Sequence, residues 1–173
     1  MIILDSFFWF TGLLLIGIMA YLWFLAVASF LPERKPISFG EPRTRFAILV
    51  PAHNESGVIA QTLESIDKLD YPAPLYKTMV IADNCTDETA RIAQSYGSSV
   101  LERQDLNRKG KGYALQWAFD ELKKNGRFET YDAFVIVDAD TLFEPKFLQA
   151  MDVRIARGEK AIHGYYDVLD RAG

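Results

Sequence analysis

Residues Ser6 to Leu31 run for 26 positions without one charged side chain. A stretch longer than the roughly 20 residues needed to cross a hydrocarbon core satisfies its backbone there only as a helix. The segment is therefore expected to be a transmembrane helix over 6–31, followed by a linker over 32–45 and a soluble domain over 46–173. A secretory signal fits less well. There is no basic segment ahead of the run, the run is longer than a signal core, and no small-residue cleavage site closes it. Asp5 precedes the span whereas Arg34, Lys35, Arg43 and Arg45 follow it. Because basic flanks stay cytoplasmic, the N-terminus is expected outside the plasma membrane and the soluble domain in the cytoplasm.

Beyond the linker the hydrophobic period switches repeatedly between that of a strand and that of a helix. Phe46 to Val50 is a short apolar run that is expected to stop at Pro51. Val58, Ile59, Thr62, Leu63, Ile66 and Leu69 then fall at helical spacing, and Tyr71-Pro72-Ala73-Pro74 ends that helix. Thr78 to Ala82 resumes strand character, and Asp87 is placed to cap a helix carrying Ala90, Ala93 and Gln94. A strand is expected around Val100-Leu101-Glu102 and a helix through Leu115, Ala118, Phe119 and Leu122. A helix after Pro145 bears Phe147, Leu148, Met151 and Ile155, and a last strand is expected over Ala161 to Val168. Strands alternating with helices imply an α/β fold with a mostly parallel sheet and flanking helices.

Between those last two helices lies Phe134-Val135-Ile136-Val137-Asp138-Ala139-Asp140, an apolar run that ends in two carboxylates one residue apart. Continuous apolar runs mark strands buried on both faces, and ligands of open α/β sheets sit outside the carboxyl ends of such strands. Side chains two apart on a strand share a face, so Asp138 and Asp140 are expected to point together and to hold a divalent cation. Two other strand ends carry polar turns, Pro51-Ala52-His53-Asn54-Glu55 and Asp83 to Asp87. A parallel sheet brings all three to one edge, an arrangement that suits a nucleotide. Each turn also has a purely local explanation. Asn54, Ser56 and Asp87 are good helix caps, and His53 is most simply a loop histidine.

The formal net charge of −4 and the scattered basic residues, clustered only at Arg108, Lys109 and Lys111, argue against a nucleic-acid partner. Cys85 is the single cysteine, which excludes an internal disulfide and any zinc set built on cysteines.

Four segments, AILVPAHNESGVIAQTLESI, VIADNCTDETARIA, NRKGKGYALQWAF and FVIVDADTLFEPKFL, occur in an order and spacing that resemble the membrane-associated family 2 glycosyltransferases with the GT-A fold. The resemblance extends from Phe46 to about Val168. It implies that Pro51, Ala52 and Glu55 line the nucleoside pocket, that Asp83 contacts the base, and that Lys111 is the basic residue beside the nucleotide. Asp138 then lies near the ribose or the metal shell, and Asp140 coordinates Mg²⁺ or Mn²⁺ directly. The donor implied is a nucleotide-diphospho-sugar, with a UDP-sugar favoured, and the acceptor a polysaccharide or a lipid of the cell envelope.

An inverting transfer also needs a base to deprotonate the acceptor hydroxyl. The family's base motif lies well downstream of the paired aspartates, and neither Asp167 nor Asp170 stands at a spacing that suits the role. The catalytic base is thus expected beyond Gly173, and the chain reads as a donor-binding half. Two rival readings remain. Asp138-Ala139-Asp140-Thr141-Leu142 also resembles the nucleophile motif of haloacid-dehalogenase-type phosphatases, although that motif belongs on the first strand of its domain. A non-catalytic, membrane-tethered nucleotide-binding module needs no base at all.

Overall fold

The computed structural model describes residues 2–29 and 39–164. They fall into two compact units, one within 1–36 and one within 37–173. The first is a single helix, α1 (Ile2–Ser29), which contains the window Trp9–Val27 with mean hydropathy 2.2. None of that window is buried against protein, and its large apolar side chains, Trp9, Phe10 and Trp23 among them, stand exposed. By length and composition α1 can cross a membrane.

The second unit alternates strand and helix: β1 (Phe46–Ala52), α2 (Ile59–Asp67), β2 (Tyr76–Asp83), α3 (Thr89–Ser95), β3 (Ser99–Arg103), α4 (Lys111–Lys124), β4 (Ala133–Ile136) and α5 (Phe147–Ala156). Short 3₁₀ turns, Ala73–Leu75 and Phe128–Thr130, lead into β2 and β4. All four strands pair in parallel, in the order β3-β2-β1-β4.

Alternation along β1 and β2 builds a core on each face of the sheet. Phe46, Ile48, Val50 and Val80 pack with Ile59, Leu63 and Ile66 of α2, Ala93 of α3 and Leu148 of α5. Ala47, Leu49, Met79 and Ile81 pack with Ala114, Ala118 and Leu122 of α4. The strand order reverses at β1, since β2 and β3 lie on one side of it and β4 on the other. Right-handed crossovers place the helix of a reversed connection on the opposite face, which accounts for α4 standing alone across the sheet from α2 and α3.

Three expectations need correction. β1 does not stop at Pro51 but continues through Ala52, in register with Ile81 and Ala82 of β2. The Leu49 carbonyl accepts from the Val137 N–H (3.1 Å), so alternate residues, Pro51 included, turn their backbone toward β4. Pairing with β4 ends at Leu49, and the missing N–H of Pro51 forfeits no ladder bond. Second, the regular part of β4 ends at Ile136, short of the apolar run read from the sequence. Third, of the strand expected over 161–168, residues 161–164 have no regular structure, and the remainder lies outside the described residues.

The start of the domain is fastened from two sides. Arg45 clasps Asp132 through Nε (2.9 Å) and Nη2 (2.7 Å), and its backbone N–H also donates to that carboxylate (2.8 Å). Thr44 donates through N (2.9 Å) and Oγ1 to the buried Asp152 of α5, and the Tyr71 hydroxyl donates to the Thr44 carbonyl (2.9 Å). The hydrogen bonds from Arg45 hold the Asp132 carboxyl down at about 2, below its ordinary 3.8. A carboxyl depressed in this way contributes stability that is complete above the unfolded value and is lost as pH falls through the folded one. Asp132→Asn is therefore expected to be less stable than the parent at neutral pH. The deficit should close between about pH 4 and pH 2, as read from urea midpoints across that range.

Candidate functional site

The C-terminal edge of the sheet carries the turns after β1, β2, β3 and β4, together with the N-terminus of α4. The crevice of such a sheet lies where the strand order reverses, here between the ends of β1 and β4. Past Ile136 the chain leaves the ladder and closes a turn, the Thr141 N–H donating to the Asp138 carbonyl (3.1 Å), while burial still alternates. Val137 and Ala139 are buried in the core while Asp138 and Asp140 are exposed. Thr62 Oγ1 donates to the Ala139 carbonyl (2.6 Å), and Ser65 Oγ accepts from the Phe143 N–H (3.1 Å). These bonds pin the acidic turn to α2.

Lys111 is the first residue of α4, and its Nζ meets Asp138 Oδ1 at 2.5 Å. The preceding Gly110 adopts φ 110°, ψ 158°, a region open essentially to glycine alone. No side chain caps this end of α4, so its first N–H groups and the Lys111 ammonium form one electropositive corner. Asp140 makes no hydrogen bond or ion pair among the described residues.

Asp83 ends β2 and is buried. Its Oδ1 accepts from Arg103 Nη1 (2.6 Å) and from Asn84 Nδ2 (3.0 Å). Arg103, at the end of β3, also donates from Nη2 to Asp105 Oδ2 (3.0 Å). Sequence reading passed over Arg103. The available signal was its place two residues after Leu101, on the face that packs toward α4, at the end of a strand whose neighbour ends in a carboxylate.

The turns after β1 and β2 are laced together. Asn54, at φ 57°, accepts on Oδ1 from the Thr86 N–H (2.8 Å). The Glu55 N–H donates to Thr89 Oγ1 (2.8 Å), the Ser56 N–H to Asp87 Oδ2 (3.1 Å), and Cys85 Sγ to the Ala52 carbonyl (3.4 Å). His53 Nδ1 lies 2.7 Å from the Asp83 carbonyl, which can only accept, so this nitrogen carries the proton. Asp87 does accept from the Thr89 N–H (3.0 Å) as a cap would, but it also ties two turns together. Desolvation opposes its charge, yet the hydrogen bonds from Thr89 and Ser56 outweigh that and hold the carboxyl well below the usual range. Burial pushes the Cys85 thiol up, in keeping with an inert turn residue.

The structure therefore sets Pro51, Ala52, Glu55 and Asp83 around one pair of turns, and Lys111, Asp138 and Asp140 around another. Arg108 and Lys109 face solvent. Among the described residues no group of three or more His, Cys, Asp or Glu is placed to hold a metal. Two exposed carboxylates offer hard oxygen donors of the kind Mg²⁺ and Mn²⁺ prefer, with the remaining positions left to water and ligand oxygens. The donor set fits such a cation on those terms.

The sequence profile described as glycosyl transferase family 2 matches residues 47–168, which contain this whole edge. The chain belongs to that family. It is 30% identical over 136 residues to the probable glycosyltransferase YdaM of Bacillus subtilis, covering 74% of this chain and 31% of that protein. Among solved structures it is similar to the mannosyltransferase PcManGT of Pyrobaculum calidifontis, described in complex with GDP-Man and Mn²⁺ (TM-score 0.55, 23% identity, 75% of this chain and 37% of the other). S. aureus TarS in complex with UDP-GlcNAc has a TM-score of 0.51, with 23% identity over 65% of this chain and 31% of the other. The fold is thus of the GT-A type. The chain spans less than a third of the length of the curated relatives it matches. The phosphatase reading is overturned by the family match and by topology, since the paired aspartates follow the fourth strand of the sheet.

Gly110 fixes the direction from which α4 presents Lys111. A Cβ there would meet open space, so Gly110→Ala tests the backbone alone. It is expected to cost about 1–3 kcal/mol, measured as a lowered urea midpoint with unchanged slope.

Proposed function

We propose that this domain binds the nucleotide-diphospho-sugar of an inverting glycosyltransferase anchored at the cytoplasmic face of the plasma membrane. The carrying observation is the contact of Lys111 with Asp138 where the strand order reverses, beside an uncapped helix N-terminus and with the exposed Asp140 two residues further on. Breaking a sugar–phosphate bond leaves additional negative charge on the departing diphosphate. An electropositive corner placed beforehand stabilises that charge as it develops.

In this reading Pro51, Ala52 and Glu55 line the nucleoside pocket. Asp83 offers Oδ2 to the base, because Arg103 and Asn84 already occupy Oδ1. Lys111 supplies a point charge to the diphosphate, and Asp140, with Asp138, holds Mg²⁺ or Mn²⁺. That cation, when bound, neutralises phosphate oxygens that would otherwise repel each other. The lacing of the first two turns holds the base end rigid, which lowers the entropic cost of binding. Support for metal-dependent nucleotide binding also comes from PcManGT, described with GDP-Man and Mn²⁺, and from TarS, described with UDP-GlcNAc.

The acceptor is a polysaccharide or a lipid of the cell envelope. Support is the single apolar helix α1 ahead of the domain, which suits an amphiphilic or exported product. The basic residues Arg43 and Arg45, between that helix and β1, favour a cytoplasmic domain.

Calorimetric titration of UDP into the detergent-solubilised chain, with and without Mn²⁺, tests this reading. Binding is expected to need the metal and to be lost in Asp140→Ala. If UDP fails, a panel of other nucleoside diphosphates follows, and absence of binding across the panel by folded protein would refute the donor site.

A further inference from the structure

Two ion pairs stand on the C-terminal edge, and they differ in what they permit. Arg103 and Asp83 are 5% and 7% exposed at 2.6 Å, and Arg103 is gripped a second time by Asp105. Parting a buried pair leaves a desolvated charge without a partner, so this one is fixed. Lys111 and Asp138 meet at 2.5 Å with side chains 47% and 61% exposed. Water can solvate both if they separate, and so exposed a pair contributes little. It is therefore exchangeable.

Asp138 Oδ1 is also one of the oxygens the proposed donor site gives to the divalent cation. An ammonium at 2.5 Å competes with a cation for the same lone pairs. Asp140, two residues beyond and also exposed, carries no such partner among the described residues. The site without ligand thus has one open carboxylate and one already neutralised.

We propose that Lys111 changes partner during donor binding, leaving Asp138 for the diphosphate, so that Asp138 is freed for the cation only when nucleotide is present. The inference rests on the donor-site reading above and adds an order to it. Without nucleotide, Lys111 stands in for the cation on Asp138 and keeps metal affinity low. A diphosphate offers Lys111 several anionic oxygens in place of one carboxylate. Its move then releases the second metal-binding group, and nucleotide and metal each strengthen the other's binding, as linkage requires. Lys111 is a positioning residue for Asp138 in one state and a ligand of the donor in the other.

The decisive measurement needs no nucleotide and no turnover. Free Mn²⁺ is followed by its EPR signal as the detergent-solubilised full chain is added, for the parent, Lys111→Gln and Lys111→Arg. Removing the ammonium is expected to tighten binding of Mn²⁺ alone by about two- to fivefold, the size of an exposed ion pair. Lys111→Arg, which keeps a cation at the position, should bind Mn²⁺ like the parent. The advantage of Lys111→Gln should shrink at high salt, where the parent's pair is screened. In the same variant UDP should bind more weakly under saturating Mn²⁺, and the enhancement of Mn²⁺ affinity by UDP should fall. Unchanged or weakened binding of Mn²⁺ alone by Lys111→Gln, in protein whose parent binds UDP with metal, would overturn this inference and leave the donor site standing. If Asp140→Ala binds Mn²⁺ and UDP as the parent does, the donor site itself fails and the inference with it.

Discussion

The last hydrogen bond between β1 and β4, from the Val137 N–H to the Leu49 carbonyl, decides where this molecule can hold a ligand. Up to that bond β1 is paired on both sides and buried on both faces. Beyond it β1 continues beside β2 through Pro51 and Ala52, while the β4 chain turns away with its carboxylates exposed. A backbone that leaves a ladder must find other partners. Here the Asp138 carbonyl accepts from Thr141, and the Ala139 carbonyl from Thr62 of α2. The crevice exists because one strand is released from pairing while its neighbour is not. Pro51 sits at the only kind of place in a central strand that tolerates it, and it prevents the ladder from extending further on that side.

Most of this architecture was legible in the sequence because it depends on periods. The helices of the second unit follow from apolar spacing, and the parallel sheet from alternating strands and helices. The alternation of buried Val137 and Ala139 with exposed Asp138 and Asp140 follows the two-residue rhythm of the sequence, although the chain there has already entered a turn. Boundaries were less legible. Whether β1 ends before or after Pro51 depends on which neighbour its backbone addresses, which is a property of register and not of composition.

The lacing of the polar turns was hardly legible at all. Asn54, Ser56 and Asp87 each look like a local cap, and sequence offers no means of telling a side chain that satisfies its own helix from one that reaches the next turn. Asp87 does both, for Thr89 and for Ser56. Arg103 was overlooked for a related reason. An arginine at a strand end reads as solvent-facing until the strand beside it is known to end in Asp83. Its burial then becomes affordable through two carboxylates, Asp83 and Asp105.

These features divide the edge into a fixed part and a changeable part. At the end that the proposed donor site assigns to the base, Asp83, Arg103, Asn84 and Asp105 hold one another in a closed set, with the Asp105 N–H donating to Asn84 Oδ1 (2.8 Å) and its carboxylate collecting the N–H groups of Asn107 and Arg108. Removing one member would strand buried charge, so the set resists rearrangement and suits recognition of a planar, invariant group. At the end that the same proposal assigns to the diphosphate the charged groups are exposed, and Lys111 is held to Asp138 by one contact. Rearrangement there costs little, which suits a region where charge appears as the sugar–phosphate bond breaks and must be released with the product. A site rigid throughout would bind the intact donor and its products about equally, and uniform binding does not accelerate a reaction. If the proposed donor binds here, the division of buried pairs to one end and exposed pairs to the other would let the same edge recognise one part of it strongly while its response to the other part tracks the change in charge.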